Sequence, residues 1–84
     1  MVRSPAPPPG AKALARRVRD LREKKGWSQE TLAEKADLHR TYLAGIETSR
    51  RNPTLRILAA LAEALEVDLA ALFEEPSLPQ RVEK

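Results

Sequence analysis

From Gln29 to Ile46 the apolar residues fall into two short helical registers, separated by a gap that only a tight turn can fill. Leu32, Ala33 and Ala36 share a face of the first register. Leu38 occupies the gap, and Leu43 and Ile46 share a face of the second. Ala33 is small where two helices would cross closely. The framework describes two short helices meeting at a steep angle across a turn of about three residues. Spacing alone also fits an ordinary helical hairpin. No stretch alternates with period two, so no strand is expected.

The flanking segments carry their own start and stop signals. Leu14, Val18 and Leu21 recur at helical spacing from Ala11 onward; Lys24 and Lys25 suit the negative end of the helix dipole, and Gly26 follows as a C′ residue. Ser28 stands at an N-cap position with Glu30 in the first turn, and Trp27 precedes Leu32 at the spacing of a hydrophobic staple. That second helix should run from about Gln29 to Ala36. Thr48 to Pro53 reads as a polar loop. Thr54 then caps a fourth helix to about Leu65, with Leu55, Leu58, Ala59, Ala62 and Leu65 as its apolar stripe. Asp68 caps a short fifth helix containing Leu69, Leu72 and Phe73, which Pro76 and Pro79 stop. Pro5, Pro7, Pro8, Pro9 and Gly10 make residues 1–10 an extended arm. The predicted organisation is therefore an arm, a five-helix domain over 11–75 and a loose tail over 76–84.

Composition narrows the function. A chain of 84 residues makes one domain and buries about 60% of its unfolded surface, so pairing with a second copy would help it. Cysteine is absent, which excludes disulfides and thiolate metal sites. No apolar run reaches the roughly 20 residues of a membrane span. Arg3 is followed by prolines where a signal peptide needs an apolar stretch. A cytoplasmic protein with no membrane partner is expected. His39 has no metal-ligand company, no Gly-rich phosphate loop is present, and Glu74-Glu75 reads as a solvated helix end. No metal, cofactor, small-molecule ligand or catalysis is therefore anticipated. The net charge of +3 is unevenly spread: Lys12 to Lys25 holds seven basic and two acidic residues, while Thr54 to Lys84 holds three basic and six acidic. Such polarity can present a positive end to a polyanion; a solvated helix face accounts for it equally well.

The run WSQETLAEKADLHRTYLAGIETSRRNPTL resembles the XRE family of Cro- and repressor-like helix-turn-helix regulators, with the match covering about residues 12–75. Its segment HRTYLAGIE is most similar to the controller proteins of restriction–modification systems. The resemblance implies an all-α, five-helix, lambda-repressor-like domain that binds operator DNA as a homodimer. It also implies that Gln29 reaches a phosphate and that a buried bridge joins Arg22 to Glu47. Three residues depart from the family pattern. Asp37 replaces a glycine in a left-handed turn, His39 replaces a Ser or Thr cap, and Thr48-Ser49 replaces an Arg-Gly pair.

The residues themselves suit such a role. With Leu43 and Ile46 inward, Thr41, Ala44, Gly45 and Thr48 turn outward, flanked by Arg40 and Tyr42 in the first turn. Arg40 suits guanine O6 and N7, Thr41 offers a hydroxyl or methyl, and Ala44 suits a thymine methyl. Tyr42, His39 and Thr48 are candidates for sugar–phosphate contact. Arg50, Arg51 and Asn52 lie in the following loop, where the backbone would pass. Arg56 sits at a helix N-terminus, where an outside anion would explain it. Gly45 costs roughly 1 kcal/mol inside a helix, and close approach to DNA would rationalise it. Leu69, Leu72 and Phe73 are candidates for a dimer surface. The rival function is a protein-binding module, such as an antitoxin or bridging coactivator, built on the same fold.

Overall fold

The computed structural model describes residues 10–74. The expected arm, apart from Gly10, and the expected tail lie outside them. Four α-helices follow in order: α1 (Ala11–Lys24), α2 (Gln29–Ala36), α3 (Arg40–Glu47) and α4 (Leu55–Leu65). There is no strand among the described residues. The caps of α2 and α4 form from local chemistry: Ser28 Oγ accepts from the Thr31 N–H and Thr54 Oγ1 from the Ile57 N–H. Each satisfies one of the orphan donors that a helix start leaves. His39 precedes α3 without a side-chain cap bond.

All four α-helices end the same way. A residue with positive φ follows each (Gly26 at 74°, Asp37 at 60°, Ser49 at 64° and Glu66 at 63°). The next amide then donates back to the carbonyl five residues earlier: Trp27 to Arg22, Leu38 to Ala33, Arg50 to Gly45 and Val67 to Ala62. This is the Schellman closure. Trp27, Leu38 and Val67 then pack on the core just beyond it, as that motif favours. Only α1 uses glycine for the left-handed residue. Trp27 also lies under two ammonium groups, with Lys25 and Lys35 Nζ at 5.2 and 4.9 Å from its ring centroid.

Beyond α4 the chain makes a 3-10 turn, Leu69–Phe73, where a fifth α-helix was expected. Its bonds span three residues, Ala71 N–H to Asp68 O and Glu74 N–H to Ala71 O. A segment of five residues is too short to build an i to i−4 ladder, and Pro76 brings no N–H to extend one. Asp68 precedes it without a side-chain cap bond.

One core joins these elements. α1 packs on α3 and the 3-10 turn, while α2 packs on α3 and α4. Val18, Leu32, Leu43, Leu61 and Leu72 are completely enclosed. Two sequence expectations change here. The inward stripe of α4 is Leu58, Leu61, Ala62 and Leu65; Leu55 is 67% exposed and Ala59 is exposed. The stripe is thus rotated toward Leu61, and Leu55, at the first position of α4, stands past the edge of the core. Leu72, expected on a dimer surface, has no exposure at all: it closes the protomer's own core, and Arg17 Nε holds its turn against α1 through the Ala71 carbonyl at 2.8 Å.

The left-handed termini yield a pair of opposed predictions. Glu66→Gly relieves a strained φ and should raise stability by about 1 kcal/mol after its backbone-entropy cost. The ion pair lost with it, to Lys25, is exposed and contributes little. Gly26→Ala should lower stability by about 1–2 kcal/mol. Thermal melting of the two variants checks both signs.

Candidate nucleic-acid interface

The second and third helices form the expected pair. Leu43 and Ile46 are 0% and 1% exposed, so α3 turns its other side outward. Arg40 and Thr41 in its first turn are exposed and Ala44 is half-buried. The Arg40 and Thr41 amides have no intrahelical acceptor. Arg40 leans toward α2, its Nε 3.7 Å from Glu30 Oε2, with both side chains more than half exposed. An ion pair that long and wet is weak, so the guanidinium remains available to another acceptor. Glu30, which the sequence offered only as a first-turn acid, is thus the group that competes for Arg40.

Glu47 fixes the far end of α3. Its carboxylate is buried and receives Arg22 Nε and Nη2 at 2.7 and 2.9 Å. Gln29 Nε2 donates to the same carboxylate at 3.0 Å, and Arg22 Nη1 donates to the Trp27 carbonyl at 2.8 Å. One carboxylate therefore ties α3 to α1, α2 and the link between them. The hydrogen bond to Glu47 holds the Arg22 guanidinium above its ordinary range, against the opposing effect of burial. Gln29 spends one amide hydrogen on Glu47; its second amide hydrogen and its backbone N–H remain for a phosphate.

Gly45 has a reason the sequence did not supply. A Cβ there would collide with Arg51 Cγ. The Arg51 side chain crosses the bare backbone of α3 and sets its guanidinium over the half-buried Tyr42 ring, 5.3 Å from the centroid. The Arg50 and Arg51 amides both donate to the Gly45 carbonyl, at 2.7 and 3.1 Å. The glycine admits a loop arginine, where the sequence suggested close approach of DNA. Thr48 is also repositioned by this geometry. Its hydroxyl donates to the Ala44 and Gly45 carbonyls at 2.9 and 3.3 Å, and its amide donates to Ala44. A phosphate oxygen only accepts, so Thr48 has no donor to spare for the backbone contact expected of it.

The remaining candidates spread over the surface. His39, Arg50, Arg51, Asn52 and Arg56 are exposed. Arg51 and Asn52 border a shallow apolar cavity with Ala11, Leu14 and Phe73. Arg50 lies in a separate groove beside α1. Arg56 forms no ion pair among the described residues. Asp37 sits at the left-handed position between α2 and α3, so the departure from glycine is accommodated in φ.

A family model described as Helix-turn-helix matches residues 18–72. Control protein C.SmaI of Serratia marcescens is 43% identical over 65 residues, covering 77% of this chain and 77% of that protein. The immunity repressor protein of Bacillus phage phi105 is 42% identical over 65 residues, 77% of this chain and 45% of the repressor, so the chain spans under half of that relative. Among solved structures, the restriction-modification controller protein C.AhdI from Aeromonas hydrophila matches with a TM-score of 0.74 at 41% identity, over 75% of this chain and 96% of that one. The controller protein C.Esp1396I, solved as a tetramer in complex with its natural 35 base-pair operator, matches with a TM-score of 0.70 at 36% identity, over 75% and 83% of the two chains.

Two substitutions test this geometry. Arg22→Ala should cost about 3–5 kcal/mol by stranding a buried carboxylate, whereas removing both charges with Arg22→Met and Glu47→Leu should cost far less. Chemical denaturation separates them, and an unchanged midpoint for Arg22→Ala would refute the role given to the pair. Because Arg22 is held above the ordinary guanidinium range, its charge is fully present below that range and is lost only as pH rises above it. The deficit should therefore not vary with pH near neutrality. Gly45→Ala sets the helix preference of alanine, about 1 kcal/mol, against displacement of the Arg51 stem from α3, so the melting temperature should change little while binding to duplex DNA weakens. Arg51→Ala should show the same loss, and the double variant little more than either alone.

Proposed function

The chain belongs to the helix-turn-helix family of XRE type, and from that premise we propose that it is a sequence-specific transcriptional regulator that binds a palindromic operator as a homodimer. The observation that carries this reading is the division of α3. Leu43 and Ile46 are enclosed, while Arg40 and Thr41 stand exposed in the first turn, the part of a recognition helix that meets base edges. Ala44 completes the reading face. Gln29, His39, Arg50, Arg51, Asn52 and Arg56 serve the phosphates, and Tyr42 serves them by seating Arg51. The likeness to C.SmaI and C.AhdI supports a controller role beside a restriction–modification system.

On this reading the four α-helices and the 3-10 turn form the five-element lambda-repressor-like domain, bounded by residues 11–75, and it acts in the cytoplasm by binding, without catalysis. Two copies meet through the end of the molecule that carries Phe73, 57% exposed, and the half-buried Leu69. The exposed Leu55 adds apolar area from α4. The tetramer of C.Esp1396I on its operator supports assembly of more than one copy on DNA.

The test is titration of a labelled duplex, selected from random sequence, across a salt series. Binding should be about 10³-fold or more tighter than to unrelated duplex and should weaken steeply with salt. Arg40→Ala should lose about 1–3 kcal/mol of discrimination at one base position in each half-site. Sedimentation of the complex should give two chains per site. Weak binding, indifferent to sequence and salt, would exclude the regulator and favour a protein-binding adaptor.

A further inference from the structure

The basic residues of α1 and its C-cap divide into two sets. Arg17, Arg22, Lys24 and Lys25 are engaged inside the protomer: Arg17 with the Ala71 carbonyl, Asp20 and Glu74, Arg22 with Glu47, Lys24 with Asp20, and Lys25 with Glu66. Lys12, Arg16 and Arg19 are exposed, and no ion pair forms at any of them among the described residues. Their spacing of four and three puts all three on one face of the helix. Glu23 bounds that face at its far end and forms no ion pair with Arg19.

That placement is unfavourable in isolation. Like charges at such spacing repel by about 0.2–0.5 kcal/mol per pair. The first turn of α1 contains no acidic residue, so Lys12 also opposes the positive end of the helix dipole. An anion outside the chain would reverse both effects. The structure supplies the place for one. Lys12, Arg16 and Arg19 line a groove whose other wall is Thr48, Ser49 and Arg50, the turn that leaves α3. Ser49 Oγ donates to the Ala11 carbonyl at 3.5 Å, which ties that turn to the start of α1. Glu47 lies at its floor, but its carboxylate is already held by Arg22 and Gln29, so it does not repel an anion there.

We propose that this groove is a second phosphate track, in which Lys12, Arg16 and Arg19, with Arg50, hold the phosphodiester backbone of duplex DNA flanking the bases that α3 reads. The inference rests on the regulator reading. From Lys12 to Arg19 the helix rises about 10 Å, the length of about three base-pair steps measured along the duplex axis at roughly 3.4 Å each. The groove starts at the turn that leaves α3, so a duplex that meets the outward face of α3 and runs on past that turn would bring its next stretch of backbone to α1. Bases there go unread; the track sets affinity and register.

The experiment uses the full chain and the exposed triple substitution K12Q/R16Q/R19Q, with melting to confirm that it folds. Two duplexes are titrated: the selected operator alone, and the operator extended by about one helical turn on each side. The natural chain should bind the extended duplex more tightly. The triple variant should lose that advantage, and its slope of log K against log salt should fall by about 3, near 0.9 per phosphate. Discrimination between the operator and a base-substituted copy should stay unchanged. Arg16→Gln and Arg19→Gln alone should each reduce the slope by about 1, which covers a triple variant that fails to fold. An unaltered slope, or an equal loss on both duplexes, overturns the track while leaving sequence-specific binding, and so the regulator reading, intact. A natural chain with no preferred sequence, whose salt slope nevertheless falls in the variant, overturns the regulator reading and keeps the track.

Discussion

A buried carboxylate at the C-terminal end of a helix is doubly unfavourable, through desolvation and through the helix dipole. Glu47 is in that position, and the architecture is arranged to compensate it. Arg22 approaches from α1 with two parallel hydrogen bonds and Gln29 approaches from α2 with a third. Because the compensation comes from two other helices, α3 cannot rotate or slide without exposing an unpaired charge in the core. The apolar side of α3 sets which residues face out, but apolar contacts alone tolerate small shifts in register. The ion pair does not, and a planar guanidinium against a planar carboxylate adds direction to attraction. The angle at which Arg40 and Thr41 are presented follows from a contact at the opposite end of their helix.

The same economy runs through the cations. The excess of positive charge between Lys12 and Lys25 reads in the sequence as one undifferentiated block. In the structure it separates by helix face into cations engaged with the protomer and cations turned outward. Arg51 belongs to both kinds: its stem crosses Gly45 and its guanidinium rests on Tyr42, yet the residue remains exposed. Cation–π seating of this sort holds the guanidinium over the ring while leaving its edge open to solvent.

Much of the fold was legible from local signals. Ser28 and Thr54 carry hydroxyls just where an orphan amide needs one, and Leu43 and Ile46 lie at a spacing that puts both on a single face. Those features depend on neighbours in sequence, so sequence contains them. The misread positions depend on neighbours in space. Leu55 and Ala59 fit an α4 stripe by period, but whether the stripe centres on them or on Leu61 depends on where α2 packs. Leu72 is an apolar residue near the acidic end, and its enclosure depends on the turn docking against α1. The purpose of Gly45 was hidden because Arg51, which needs the space, lies on a loop whose path no periodicity describes. Thr48 was misjudged because its hydroxyl has an alternative acceptor one turn back, a competition that composition does not rank.

The Schellman closure at Ser49 has a consequence for information content. It stops α3 after eight residues, about 12 Å of helix, which spans roughly four base-pair steps of 3.4 Å. A word of four letters recurs by chance roughly every few hundred base pairs, so the number of competing sites, more than the strength of any one contact, limits how well a single protomer can find its address. Doubling the word squares its rarity. The place where one short helix terminates is therefore also a reason for the molecule to work in pairs.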